Sequence, residues 1–224
     1  MKRWSLSEKT EAVDGWYQFL RGKVRAGFSG PGVFGAVPQD LESLPEVPQE
    51  SGHAFLRQVH GGCVHHFTDA GSRTGDGLFT ARPGLILTIR TADCLPLYFV
   101  KKAGSLVGLV HMGWRSAAAG ILGRVPGPLA EFQVIAGIGL RRCCYEVARS
   151  FLDGPLAGSV HSRGGKLFFD PVSFASAFLR KRGLANEDFI SFEVCSRCSP
   201  MSFPSYRRNR GAARTISYIE IQPE

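Results

Sequence analysis

Between residues 85 and 111 the chain carries three apolar runs of strand length, at 85–91, 97–100 and 106–111, with only short polar connections between them. Runs this short and this rich in Leu, Ile, Val and Phe read as buried strands rather than helices. A parallel crossover needs a dozen or more connecting residues, so neighbours this close do not all run parallel. Further strands are expected at 132–138, 189–194 and 215–221, and a strand pair at 54–60 and 63–67 is broken by a hairpin-like Gly61-Gly62 turn. Helices are expected at 114–124, which is Ala-rich, at 145–152, and at 171–182, which has Pro near its start and Gly183 as a stop. Strands outnumber helices, so the expectation is an α+β chain (mixed α/β) with mixed rather than purely parallel sheet. The first fifty residues form a loop-rich lead-in. There Gly30 to Gly35 satisfies a dinucleotide-binding spacing, but no helix-opening context follows.

Polar residues sit at the ends of these runs. Gln58-Val-His60-Gly61, Ala92-Asp93-Cys94-Leu-Pro96 and Val110-His111-Met-Gly113-Trp114-Arg115 together offer two imidazoles and one thiolate. Three nitrogen and sulfur ligands with no obvious fourth suit an open, catalytic zinc site that keeps a position for water or substrate. The plainer alternative is a set of core strands that each end on a polar residue. Asp93, beside Cys94, and Asp76, within Thr74-Gly75-Asp76-Gly77, are candidates to orient a ligand or take a proton. Asp76 taken alone reads as a turn former. The same residues allow a second chemistry, in which Cys94 is a nucleophile and His111 its base, as in an amide or ester hydrolase. The zinc nucleoside deaminase pattern, with Glu two residues after a His and a Cys-x-x-Cys pair, is absent.

At 224 residues with 44% hydrophobic content, the chain is long enough for one sizeable core, and a single domain over 1–224 is expected. No apolar run is long enough to span a bilayer, and the first residues lack a signal-peptide core. This predicts a cytoplasmic protein with no membrane partner. Six cysteines in such a chain read as thiols or ligands rather than a disulfide framework. Cys195-x-x-Cys198 looks like half of a zinc ribbon or redox pair whose second half is missing, because Cys143 and Cys144 are adjacent. The net charge of +8 is concentrated in clusters such as Arg141-Arg142, Arg180-Lys-Arg182 and Arg207-Arg208-x-Arg210. No nucleic-acid motif or basic tail accompanies it, so a basic surface with one cluster facing a small anionic substrate is expected instead. The sequence leaves the oligomeric state open.

Five phrases in register carry a family resemblance. Gln58-Val-His60-Gly61, Ala92-Asp93-Cys94-Leu-Pro96, Val110-His111-x-Gly113-Trp114-Arg115, Cys143-Cys144-Tyr145-Glu146-Val147 and Ser205-Tyr206-Arg207-Arg208 resemble, in order, the laccase-domain or polyphenol oxidase proteins. These are also called purine nucleoside phosphorylases and, in bacteria, peptidoglycan editing factors. The resemblance covers 54–221 and implies an α/β/β/α layered sandwich, similar to putative cysteine hydrolases. It implies zinc ligands at His60, Cys94 and His111, with a single copper in the same site as an alternative. The implied activities are phosphorolysis of adenosine, inosine and methylthioadenosine and deamination of adenosine. Asp93, Arg115 and Arg207 are then candidate catalytic residues, and Trp114, Tyr206 and Arg208 candidate contacts to nucleoside and phosphate. Rival readings are a Cys-His hydrolase or peptidoglycan-precursor editing enzyme, and a non-catalytic binding module. The chain departs from the family pattern at Met112, Ser116, Leu140 to Arg142 and Pro204. The laccase label fails a residue count: copper clusters of that kind need on the order of ten histidines, and the chain has six.

Overall fold

The computed structural model describes every residue except 14, 21, 32–51 and 224. Its strands are β1 (Lys2–Trp4), β2 (Glu11–Val13), β3 (Trp16–Leu20), β4 (Val24–Ser29), β5 (His53–Arg57), β6 (Val64–His66), β7 (Gly71–Thr74), β8 (Gly77–Thr80) and β9 (Ile86–Thr91). They continue as β10 (Leu95–Lys101), β11 (Val107–Met112), β12 (Phe132–Ala136), β13 (Glu146–Val147), β14 (Val160–Arg163), β15 (Lys166–Phe169), β16 (Phe189–Phe192) and β17 (Thr215–Ile221). The α-helices are α1 (Leu6–Lys9), α2 (Trp114–Ala118), α3 (Pro171–Lys181) and α4 (Tyr206–Asn209), and none is long and apolar enough to cross a membrane.

Among the described residues two seven-stranded sheets result, in the orders β1-β16-β12-β10-β11-β8-β6 and β2-β3-β4-β17-β9-β5-β7, with a small β13-β15-β14 sheet beside them. Both large sheets mix parallel and antiparallel pairs, as the closeness of the apolar runs predicts. Alternation along β10 divides the core. Leu97 and Phe99 pack with Ala117 of α2 and Val172, Ala175 and Leu179 of α3. Tyr98, on the opposite face, packs with Leu87 and Ile89 of β9 and with Phe28 of β4. The first sheet is therefore covered by helices on one side and by the second sheet on the other. The outer side of the second sheet carries a small cluster around Trp16 and Ile216, and no described helix lies over it.

Helix α3 follows its sequence signals closely. The Asp170 carboxylate accepts the amides of Val172 and Ser173, Pro171 opens the helix, and Gly183 follows it at φ 100°. Other expectations need correction. Residues 2–29, expected to be loop-rich, hold four strands and α1, while 32–51, including most of the rejected dinucleotide spacing, lie outside the described residues. The pair at 54–60 and 63–67 is no hairpin: β5 joins the second sheet and β6 the first. The helix expected at 114–124 stops at α2, where Gly120 takes a left-handed φ of 74° before a 3-10 turn. The helix expected at 145–152 is β13 followed by a 3-10 turn, because Glu146 and Val147 pair with Phe168 and Leu167.

One half-buried histidine makes stability sensitive to acid. His53 bonds through Nε2 to the Thr88 hydroxyl at 3.0 Å. Burial, and then the nearby Arg90 charge, lower its pKa from 6.5 to about 4. Between those values the unfolded chain binds a proton that the folded one refuses. The contribution is complete above about pH 6.5 and is lost as pH falls toward about 4. That loss amounts to up to about 3 kcal/mol. Denaturant titrations at pH 7 and 4.5 should show a flatter pH slope for His53→Gln than for the wild type. Identical slopes would refute this account.

Candidate active site

The three ligand-type side chains meet where the two sheets part. Because β10 and β11 pair antiparallel, with Leu95 opposite Met112 and Pro96 opposite His111, Cys94 emerges beside the end of β11. By alternation His111 shares the face of Val107 and Leu109, which is turned toward the second sheet. From that sheet the parallel strands β5 and β9 deliver Gln58 to His60 and Asp93 to Cys94 at the same rim. Gln58 prolongs this pairing with its side chain, accepting from the Arg90 amide and donating to the Arg90 carbonyl, each at 2.8 Å. The main chain is thereby released to turn toward His60.

The resulting geometry suits a metal ion. The ligand atoms of His60, Cys94 and His111 all lie within 4.8 Å of one another. Gly113 keeps space for them: a Cβ there would stand 2.9 Å from Cys94 Sγ and 3.1 Å from His60 Cδ2. His111 is buried, Cys94 half-buried and His60 exposed, so the group is anchored on one side and open on the other. Burial pushes the Cys94 thiol up, but His111 and His60 outweigh it and bring it down to about 6. Burial likewise lowers His111, and Asp76 and Cys94 more than reverse this, raising it to about 9. A thiolate and two imidazoles are soft and borderline donors that fit zinc or copper.

Asp76 is the residue whose importance the sequence understates. It is fully buried. Its Oδ1 accepts from the His60 amide at 2.9 Å and from His111 Nδ1 at 2.8 Å. Oδ2 accepts from the Gly61 amide at 2.6 Å and the Val59 amide at 3.3 Å. Burial raises its pKa, but the His111 bond and these amides prevail and hold it below the ordinary carboxylate value. An ionised carboxylate only accepts, so a proton stays on His111 Nδ1 and Nε2 is the nitrogen that faces a ligand, giving up its own proton when a metal binds. Two non-glycine residues here have left-handed backbones, His60 at φ 58° and Asp93 at φ 87°. Such strain costs on the order of 1–3 kcal/mol per residue and persists where surrounding bonds enforce it.

The open side of this group faces a cleft of about 720 Å³. Trp114, Arg115, Tyr206 and Arg207 line it, together with Asp93. Arg115 lies over the Trp114 ring at 5.0 Å, and Arg207 over Tyr145 at 5.4 Å, while Arg207 Nη1 donates to the Glu146 carbonyl at 2.8 Å. Asp93 is engaged on both oxygens, accepting from the Ser196 hydroxyl at 2.8 Å and from the Arg207 amide at 2.6 Å. Its visible work is to hold the start of α4 against the rim. Arg208 does not line the cleft. Its guanidinium donates to the carbonyls of Arg197 and Ser196, so the expected substrate contact is not where this side chain lies. Sequence reasoning passed over Arg57, Arg90, Tyr145 and Arg214, which also line the cleft. Those arginines stand alone or at strand ends, and no local pattern marks them.

Comparison with known proteins shows the family and the fold. The family model described as multi-copper polyphenol oxidoreductase laccase matches residues 37–222. A protein of Aquifex aeolicus named purine nucleoside phosphorylase is 34% identical over 152 residues, 66% of this chain and 71% of that protein. Purine nucleoside phosphorylase YlmD of Geobacillus stearothermophilus is 30% identical over 197 residues, 75% of this chain and 71% of its own length. The crystal structure of YlmD from the same organism superposes with a TM-score of 0.79 at 25% identity, covering 96% of this chain and 99% of that one. The Bacillus licheniformis hypothetical protein YfiH shares the fold with a TM-score of 0.77 over 94% and 97% of the two chains.

Proposed function

The chain belongs to the family described as multi-copper polyphenol oxidoreductase laccase, and from that premise we propose that it is a zinc-dependent purine nucleoside enzyme. The reaction proposed is phosphorolysis of adenosine, inosine or methylthioadenosine, with deamination of adenosine as a second activity. The observation that carries this reading is a metal-type His60, Cys94 and His111 group on the floor of a cleft walled by arginines and aromatic rings. Zinc held there would supply Lewis acidity to a substrate oxygen. Trp114 and Tyr206 are exposed enough to receive a flat base, with Arg115 beside it. Arg207, fixed by Glu146 and Tyr145, presents its charge to the incoming phosphate. The name of the family does not extend to multicopper chemistry, because six histidines in the whole chain are too few for it. On this reading the basic surface serves an anionic small molecule, not nucleic acid.

Incubation of inosine or adenosine with the protein and phosphate is expected to yield free base and ribose 1-phosphate, the glycosidic bond breaking as the phosphate oxygen bonds C1 of the ribose. Arg207→Ala should raise the KM for phosphate about tenfold or more while zinc content stays unchanged. Ammonia release from adenosine without phosphate is expected from the second activity, and ammonia with no ribose 1-phosphate under any condition would overturn the phosphorolysis.

A second reading has its own observation. Cys94, His111 and Asp76 stand in the order nucleophile, base and orienting carboxylate, with the thiol already brought down to about 6. Cleavage of an amide, such as a peptidoglycan precursor, by metal-free protein would establish that hydrolase and overturn the zinc reading.

A further inference from the structure

The chain contains a second cluster of metal-type side chains, most of them lining a different cleft from the first. Strands β12 and β16 run parallel, and their chains continue side by side beyond the sheet to a bridge between Gly139 and Cys195, where the Ser196 amide donates to the Gly139 carbonyl at 3.0 Å. Parallel pairing puts both exit loops at the same end of the sheet. In the first loop Cys144 and Tyr145 fold back onto the Arg141 carbonyl, which presents Cys143 and Cys144. In the second the Ser199 amide closes a turn on the Cys195 carbonyl, which presents Cys195 and Cys198. The missing half of the ribbon is therefore supplied by adjacent cysteines from another loop. All four sulfurs lie within 4.8 Å of one another, and those of Cys143 and Cys198 are 3.6 Å apart. Four sulfurs around one zinc at about 2.3 Å would be separated by about 3.8 Å.

We propose that Cys143, Cys144, Cys195 and Cys198 form a tetrathiolate centre that holds a structural zinc ion and locks the two loops together. Binding releases the thiol protons to solvent, and one zinc dication with four thiolates carries a net charge of −2. The surroundings suit that charge. Arg141 donates through Nη2 to the carbonyls of Gly137 and Phe192, while its Nε and Nη1 are shielded from solvent and have no hydrogen-bond partner among the described residues. A guanidinium left with unpaired donors is costly, and Arg141 lines the same cleft as Cys143, Cys195 and Cys198, where it faces the negative charge of such a centre. Backbone amides of Cys198, Arg141 and Arg197 point to the Cys195 sulfur, leaving it held in place by the main chain of both loops. Cys143 and Cys198 open onto a cleft of about 500 Å³, which gives the ion a way in.

The centre has a structural purpose in this fold. The loop after Cys195 supplies Ser196 to Asp93 and leads to Arg207, and the loop after Cys144 supplies Tyr145 beneath Arg207. A closed four-ligand site suits such a staple, whereas the three-ligand group in the arginine-lined cleft stays open.

Metal analysis of the full chain, purified under reducing conditions without chelator, should find about two zinc equivalents. Cys94→Ser protein should keep about one, and its zinc absorption spectrum should show sulfur-only coordination at about 2.3 Å. Cys143→Ser and Cys198→Ser should each lose that equivalent while keeping the other. Should either variant fail to fold, the wild type still decides: a chromogenic thiol reagent should find these four thiols protected until a chelator strips the second equivalent. A zinc-supplemented Cys94→Ser protein that is folded but metal-free would overturn the proposal. So would four thiols equally reactive with and without zinc, or disulfides among them in the reduced preparation. The sulfur-only signal in Cys94→Ser is independent of nucleoside activity, so failure of this site and failure of the proposed reaction are distinguishable.

Discussion

Replacing Asp76 with alanine is expected to damage both metal retention and folding, although Asp76 is not itself a proposed ligand. Its carboxylate collects the amides of Val59, His60 and Gly61 and the Nδ1 proton of His111. Without it His111 loses the partner that fixes its tautomer and ring orientation, which costs about 10- to 100-fold in metal affinity. The amides of Val59, His60 and Gly61 would lose their acceptor, and His60 would lose the bonds that hold its left-handed backbone. Removing one partner from a buried charged network costs about 3–5 kcal/mol. Chelator competition reads the first effect and denaturant titration the second. Asp76→Asn should fall between the two proteins, since one side-chain oxygen still accepts from His60 and His111 while the amide nitrogen meets the donors of Gly61 and Val59. Wild-type affinity and stability in Asp76→Ala would show that the loop and His111 are placed by packing alone.

Cys94→Ser is expected to abolish tight metal binding at the open site and to lower kcat/KM by about a thousandfold or more. The metal's contribution to the transition state is several kcal/mol, and each 1.36 kcal/mol is tenfold in rate. The fold should survive, because Cys94 only half-buries its side chain and β10, which follows it, is packed on both faces. Metal content, circular dichroism and phosphorolysis measured on one preparation separate these effects. Collapse of the fold would mark the open site as structural. A wild-type preparation that is folded, active and free of metal would instead make Cys94 the nucleophile of the hydrolase reading.

Much of the fold was written locally. The apolar runs that became β9, β10, β11, β12, β16 and β17 are visible as strands because their length and composition suit nothing else, and α3 is marked at both ends by capping residues. The nearness of Cys94 to His111 is almost a local property too, since a short connection forces β10 and β11 to pair antiparallel. Harder to read were 145–152 and 54–67. In the first, pairing of Glu146 and Val147 with β15 overrides helix propensity. In the second, the glycine pair that mimics a hairpin turn carries the chain from one sheet to the other.

By itself, then, the sequence determined the central apolar strands, the mixed character of the sheets and the three side chains of metal-ligand type, because each depends on residue type and short-range spacing. Only the tertiary structure decided what surrounds them. Asp76 reads as an ordinary turn residue until the packing of the two sheets removes it from water and leaves four donors for its two oxygens. Arg208 reads as a substrate contact until the loop at Ser196 claims its guanidinium. Cys143, Cys144, Cys195 and Cys198 lie some fifty residues apart as two unlike pairs. The parallel registry of β12 and β16 brings them within reach of one ion, a long-range pairing that no local pattern encodes.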